Sequence, residues 1–390
     1  MNREPATVGS RPQRRRRPVA APTIVFLGAD DTAGASAGHR RQSGAALAAR
    51  LARTREAAFL DAPSVDALEG QDGLYYVPEE TLVGRPLAQR LGIAGEDDLF
   101  GGVVPFAHMA TKAIAHPLVG PDAAAPEGWS AGFAEEVKPC VAFGYTAFAR
   151  ADLEHAARLV AARGRARFKP AGAAGGLGQS LLDADGDITE ALASISDEEL
   201  ERHGVVIEEE IHDATTFAVG RIRLHGLAAS YFGTQSQTED NQGRMVYGGS
   251  SLTVARGGFE RLWSLTDDHH VHRALKQARL FDAAANRHFQ GFIASRRNYD
   301  IVVGLDSAGA LRTCVLEQSW RLGGASGAEL VAAERLLEDP GLAAVEAHCA
   351  EVYGPAVAAP ADAFVYYRDE DRDVGHLTKY AWVEACHHAS

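Results

Sequence analysis

The chain is short of cysteine and methionine, with four and three among 390 residues, and it lacks any long apolar run. Cys140, Cys314, Cys349 and Cys386 form no C-x-x-C pair. That argues against structural zinc and a disulfide framework, and for a reduced, cytoplasmic setting. No stretch approaches the roughly 18 apolar residues of a membrane span, so no membrane partner is expected. The arginines at 14–17 are not followed by an apolar core and cleavage site, so no secretory signal is read. Basic charge is short as well: a net charge of −13 argues against nucleic acid as the main partner. Residues 1–22, where those arginines lie among proline and serine, read as a solvated, disordered basic tail. G-x-S-x-G and the protein-kinase HRD and DFG signatures are missing, and no repeat of 20–50 residues recurs.

What is present is an ordered alternation of elements. Residues 23–28 (TIVFLG) make a buried-type strand, 45–55 (AALAARLARTR) a helix, and 58–60 a second strand. Further strands are expected at 73–77 and 102–105, so 23–105 reads as a small α/β domain. Its glycines Gly28, Gly34 and Gly38 do not fit the dinucleotide fingerprint. From residue 106 the pattern becomes α+β: a helical stretch at 109–114, an irregular loop at 117–139, and helices at 152–163 and 188–203. In 215–226, Ala218, Gly220, Ile222 and Leu224 fall on one side, as a half-buried strand requires. More strands follow at 227–234, 245–247 and 252–255, then a long helix at 267–289. A hairpin at 299–317, helices at 329–337 and 342–353, and strands at 364–367 and 377–383 complete the chain. His269, His270 and His272, and the terminal Cys386-His387-His388, read as solvated rather than metal-binding.

Residues 165–180, RARFKPAGAAGGLGQS, organise the rest. A strand ends at Lys169-Pro170, and Gly172, Gly175, Gly176 and Gly178 follow within seven residues. Such a loop brings backbone N–H groups close to an anion, and a lysine beside it suits phosphate. A Walker loop has its lysine after the glycines and opens a helix. Here a short strand follows instead, which makes a hairpin flap able to fold over a triphosphate. A tight turn without a ligand is the competing reading of the glycines.

The strand 311–319 supplies a second half. Glu317, Ser319 and Arg321 are spaced by two and share a face. If Leu305 pairs with Ala310, Asp300 lies opposite Val315 and diagonal to Glu317. Two acids within about 7–8 Å on one face repel unless a cation lies between them, and Mg2+ accepts such ligands together with phosphates. A structural ion network with Arg296, Arg297 or Arg321 is the alternative. Arg256, Arg244 and Arg296 are candidates for a substrate carboxylate, on bidentate chemistry alone.

A strand-end lysine before a glycine hairpin, then an acidic strand end, then E-x-S-x-R after a hairpin, resembles the ATP-grasp superfamily. The stretches YFGTQ, VYGGSSLTVARGG and LEQSWRLGGAS are similar to an uncharacterised bacterial ATP-grasp-like family. The resemblance implies an ATP-grasp fold at 106–354, with a small flap-bearing lobe at 140–211 and a large β lobe at 212–354. A pre-ATP-grasp α/β domain (23–105) precedes it and an appended strand pair (355–390) follows. It implies that Lys169 and Lys112 reach the phosphates, with Gly175, Gly176 and Gly178 in the flap. Glu208, Glu209, Glu210 and Ile211 would hold adenine at the hinge, Asp300 and Glu317 would bind the metal, and Arg321 would face the transferred phosphoryl group. Ser319 stands where the family has a metal-binding Asn, and Asp213 substitutes for a missing ribose-binding acid. The implied cofactors are ATP and Mg2+, with Mn2+ as a substitute. The implied reaction joins a small-molecule carboxylate to an amine or thiol through an acyl phosphate. A small-molecule kinase and a non-catalytic ATP-binding module are the alternatives. Relatives are commonly homodimers, and no interface is legible here.

Overall fold

A computed structural model describes residues 22–29, 38–62, 64–173, 178–183, 188–355 and 357–388. The basic tail, Gly34, and the flap glycines Gly175 and Gly176 lie outside the described residues. Its centre is an eight-stranded antiparallel sheet. The strands run in the order Leu311–Ser319, Arg296–Leu305, His212–Leu224, Leu227–Glu239, Met245–Arg256, Leu342–Tyr353, Gly375–His388, Phe364–Asp371. Both faces are covered. Ala218, Ile222 and Leu224 pack under helices His39–Thr54 and Ser326–Glu338, while Phe217, Val219, Tyr299 and Ile301 pack under helix His269–His288. Residues 217–220 of this strand are therefore buried on both sides rather than half-buried, as the middle of a central strand between two helical layers must be.

Two expectations are corrected. Residues Leu342–Tyr353 form a strand, not a helix. Their alanines favour a helix, but Val345, Ala347, Cys349 and Glu351 are buried at every second position between two partner strands, and that packing overrides propensity. The final strand pair extends the same sheet past Leu342–Tyr353. The helix at 188–203 is two short ones, Thr189–Ala193 and Asp197–His203. Ser196 caps the second, accepting from Glu199 N at 3.2 Å while the Glu199 carboxylate accepts the Ser196 N–H at 3.1 Å.

The N-terminal unit has parallel strands Phe59–Ala62, Thr23–Leu27 and Leu74–Pro78, in that spatial order. It is tied to the large sheet by charge. Arg297 reaches Glu96 at 2.8 Å, and Arg223 reaches Asp97 at 2.8 Å. The small lobe is a four-stranded sheet in the order Gly144–Ala147, Val205–Glu209, Ala166–Pro170, Ser180–Leu182, backed by helix Arg150–Ala161. Among the described residues no helix is long and apolar enough to cross a membrane.

A buried ion pair sets the position of helix Ser326–Glu338. Arg296 and Glu329 are 1% and 0% exposed and meet at 2.9 and 2.7 Å. Removing one partner strands the other's charge without water. Glu329→Ala is therefore expected to lower unfolding free energy by about 3–5 kcal/mol, read by urea titration.

Candidate active site

The small-lobe sheet and the large sheet face each other across a cleft of about 1070 Å3. One wall carries Lys112, Lys169, Glu208, Glu210 and Ile211; the other carries Asp213, Gln235, Asn298, Asp300, Glu317, Ser319 and Arg321. The flap arms Ala166–Pro170 and Ser180–Leu182 pair antiparallel, and Gly178 at the base has φ +68°, a conformation that glycine adopts without strain.

Lys169 is buried and ion-paired with Glu208, whose other oxygen lies 2.7 Å from His116 Nε2. Burial alone would raise the Glu208 carboxyl, but the Lys169 charge and His116 outweigh it and hold the group down at about 2. Glu210 turns to Arg167 (2.6 Å), and Ile211 and Asp213 line the cleft beyond it. Glu209 is a correction: alternation turns its side chain away from the cleft, where it accepts the Phe143 N–H at 3.0 Å.

Lys112 was expected on a helix. It instead begins the 3-10 turn Lys112–Ala115, which Thr111 caps by accepting the Ala113 N–H. Its ammonium is 5% exposed, lies 3.0 Å from Glu317 Oε2, and also donates to the carbonyl of Ala173 at the flap base. One lysine therefore joins the flap to the acids.

The hairpin register also differs from expectation. Leu305 pairs with Leu311, and Leu316 bulges, so Asp300 lies directly opposite Glu317 rather than Val315. Both acids still share the cleft face, because the bulge offsets the one-residue slip. Burial and the neighbouring Glu317 charge push the Asp300 carboxyl up to about 6. Asp300 Oδ1 accepts from Gln235 Nε2 at 2.6 Å and Asn298 Nδ2 at 2.8 Å.

Folded Asp300 thus keeps a proton that the unfolded chain has already released. Its contribution to stability falls as pH rises from the ordinary carboxylate range to about 6, and is level above that. The stability difference between the metal-free wild type and Asp300→Asn is expected to shift against the wild type by about 3 kcal/mol across that window. Urea unfolding at a series of pH values measures it; a pH-independent difference would contradict it.

The remaining arginines divide. Arg321 meets Glu80 of the N-terminal unit at 2.8 Å and lines the cleft. Arg244 lines it too, paired with Asp240 at 2.7 Å. Arg296 is a correction to the substrate assignment. Its guanidinium is consumed by Glu329, by Ser319 Oγ at 3.0 Å and by the Arg321 carbonyl. Arg256 is another: it donates to the Leu336 carbonyl and does not line the cleft.

Sequence reasoning missed His116, Gln235, Asn298, Tyr231 and Glu329. Asn298 was within reach, since it precedes Asp300 by two and so shares its face. Gln235 and Glu329 come from other elements, and nothing in their own neighbourhoods marks them.

Among the described residues no three His, Cys, Asp or Glu side chains converge on a metal position. The Asp300–Glu317 pair nevertheless fits Mg2+. Two facing carboxylates, one of them raised by burial and by the other's nearby charge, are a donor set this ion accepts while it keeps water and phosphate oxygens as its other ligands.

Solved structures share the architecture. Phosphoribosylamine–glycine ligase from Thermotoga maritima superposes with a TM-score of 0.53 at 13% identity, over 93% of this chain and 92% of that one. Carboxyaminoimidazole ribonucleotide synthase from Aspergillus clavatus, complexed with ATP, gives 0.50 at 13% identity, over 93% and 94%. At such identity the likeness shows the fold, which is ATP-grasp. No curated protein sequence matches the chain. The family described as "Protein of unknown function (DUF3182)" matches residues 27–381, and the chain therefore belongs to the DUF3182 family, on an ATP-grasp fold.

Proposed function

We propose that this protein is an ATP- and Mg2+-dependent ligase that joins a small-molecule carboxylate to an amine or thiol nucleophile through an acyl phosphate. The observation that carries the reading is the shared cleft: buried Lys169 and Lys112 on one wall, Asp300 and Glu317 on the other, with Lys112 in contact with Glu317. Solved neighbours named as ligases and synthases, one of them complexed with ATP, support the same class.

ATP enters with its adenine against Ile211 and the hinge backbone and its phosphates toward the lysines. Lys169, oriented by Glu208, supplies a point charge to phosphate oxygens, and Lys112 supplies a second beside the acids. Asp300 and Glu317 would hold Mg2+, which would supply positive charge to offset the negative charge that develops in transfer. Arg321, at the cleft wall, faces the transferred group once substrate separates it from Glu80. The flap and Lys112 exclude water, so the acyl phosphate lasts until the nucleophile displaces phosphate. No protein nucleophile is required. Arg244 remains as a candidate for the substrate carboxylate.

The test is incubation with Mg-ATP and a pool of amino acids, dicarboxylates and amines. ADP, free phosphate and a new amide or thioester mass are expected. A phosphorylated product without free phosphate would make the protein a kinase, and ATP binding with no turnover in any pool would make it a binding module.

A further inference from the structure

The two acids do not offer all their oxygens. Asp300 Oδ1 receives two N–H donors, from Gln235 Nε2 at 2.6 Å and Asn298 Nδ2 at 2.8 Å, which fills the two lone-pair directions of one carboxylate oxygen. The orientation of the Asn298 amide is set by Asp300, since its NH2 must face a carboxylate that accepts, and its Oδ1 lies 3.0 Å from the Tyr231 hydroxyl. That hydroxyl is itself held by buried Glu329 at 2.7 Å. Gln235 reaches Asp300 across the intervening strand His212–Leu224, where the residue paired with Asp300 is the small Ala218. On the facing strand, Lys112 occupies Glu317 Oε2 at 3.0 Å. Among the described residues, each acid is left with one oxygen free of protein donors, Oδ2 of Asp300 and Oε1 of Glu317.

We infer that Gln235 and Asn298 are positioning residues that restrict Asp300 to one-oxygen coordination, so that the acid pair selects Mg2+ or Mn2+ against Ca2+. Mg2+ and Mn2+ suit single carboxylate oxygens in octahedral geometry, with water and phosphate completing the shell. Ca2+ takes six to eight oxygens and gains from carboxylates that bind through both. A carboxylate whose second oxygen is already filled denies it that mode. The inference rests on the proposed metal role of Asp300 and Glu317, and goes beyond it by assigning selectivity to two amides that touch neither metal nor nucleotide.

The experiment uses the full chain and Mn2+–ADP as probe, read by the enhancement of water-proton relaxation on protein binding, with Ca2+ as competitor. Gln235→Leu keeps the bulk of a half-buried side chain and removes the donor. It is expected to weaken Mn2+–ADP binding about tenfold and to move the Ca2+ competition toward Ca2+ by a similar factor, as the loss of a partner that orients a metal ligand does. Asn298→Ala is expected to act in the same direction, with thermal melts establishing that each variant is folded. An unchanged Mn2+/Ca2+ ratio in folded Gln235→Leu would overturn the inference and leave the ligase proposal standing. Glu317→Gln separates the two. If it binds Mn2+–ADP as the wild type does, the acids hold no metal, and the proposed function and the selectivity both fall.

Discussion

Glu317→Gln is expected to reduce Mg-ATP-dependent ADP formation by about 10²–10³-fold or more, with little change in thermal stability. The substitution keeps the size of the side chain and one of its oxygens, but removes the charge that would anchor the metal opposite Asp300. It also changes the partner of Lys112, whose ammonium now meets an amide at the place where a carboxylate lay 3.0 Å away. Relief of Asp300–Glu317 repulsion acts the other way on stability, because the Glu317 charge is part of what raises the Asp300 carboxyl. The two effects oppose, so the fold persists while turnover is lost. A coupled ADP assay beside a thermal melt reads both. Unchanged ADP formation would refute the site assignment.

Lys169→Met should damage stability and activity together, and a second substitution should separate them. Glu208 is buried beside Lys169, with His116 as its other partner. Removing the lysine leaves a carboxylate without water and without its nearest full positive charge, at an expected cost of about 3–5 kcal/mol. The acid limb supplies a signature. In the wild type, the Glu208 contribution is present above the ordinary carboxylate range and is lost as pH falls toward about 2. In Lys169→Met that limb should flatten. Lys169→Met/Glu208→Gln should recover most of the stability, since no buried charge is left unpaired, yet remain inactive, since the phosphate-facing cation is still missing. Activity in the double variant would remove Lys169 from the mechanism.

The sequence showed the flap and the acids for a physical reason. Lys169 and its glycines are local, as are Glu317, Ser319 and Arg321, and a period of two assigns the latter to one face without knowledge of any neighbour. The pairing of Asp300 with Glu317 was legible as a face but not as a register, because the bulge at Leu316 depends on what each strand buries. Arg296 shows the limit in the other direction. Beside an acidic cleft it resembles a substrate ligand, and only the approach of Glu329, 33 residues along the chain, shows it to be structural.

Composition, element order and side-chain alternation, which are properties of the chain alone, determined the α/β and α+β character, the hairpin flap and the shared face of the acids. The tertiary structure decided that Leu342–Tyr353 is a strand, that the last two strands continue the main sheet, and that Lys112, Gln235 and Asn298 converge on the cleft, with His116 behind Glu208. Those outcomes depend on contacts between residues far apart in sequence. Burial between partner strands outweighs local helix propensity, and a charge or amide gains its role only from what the fold sets against it.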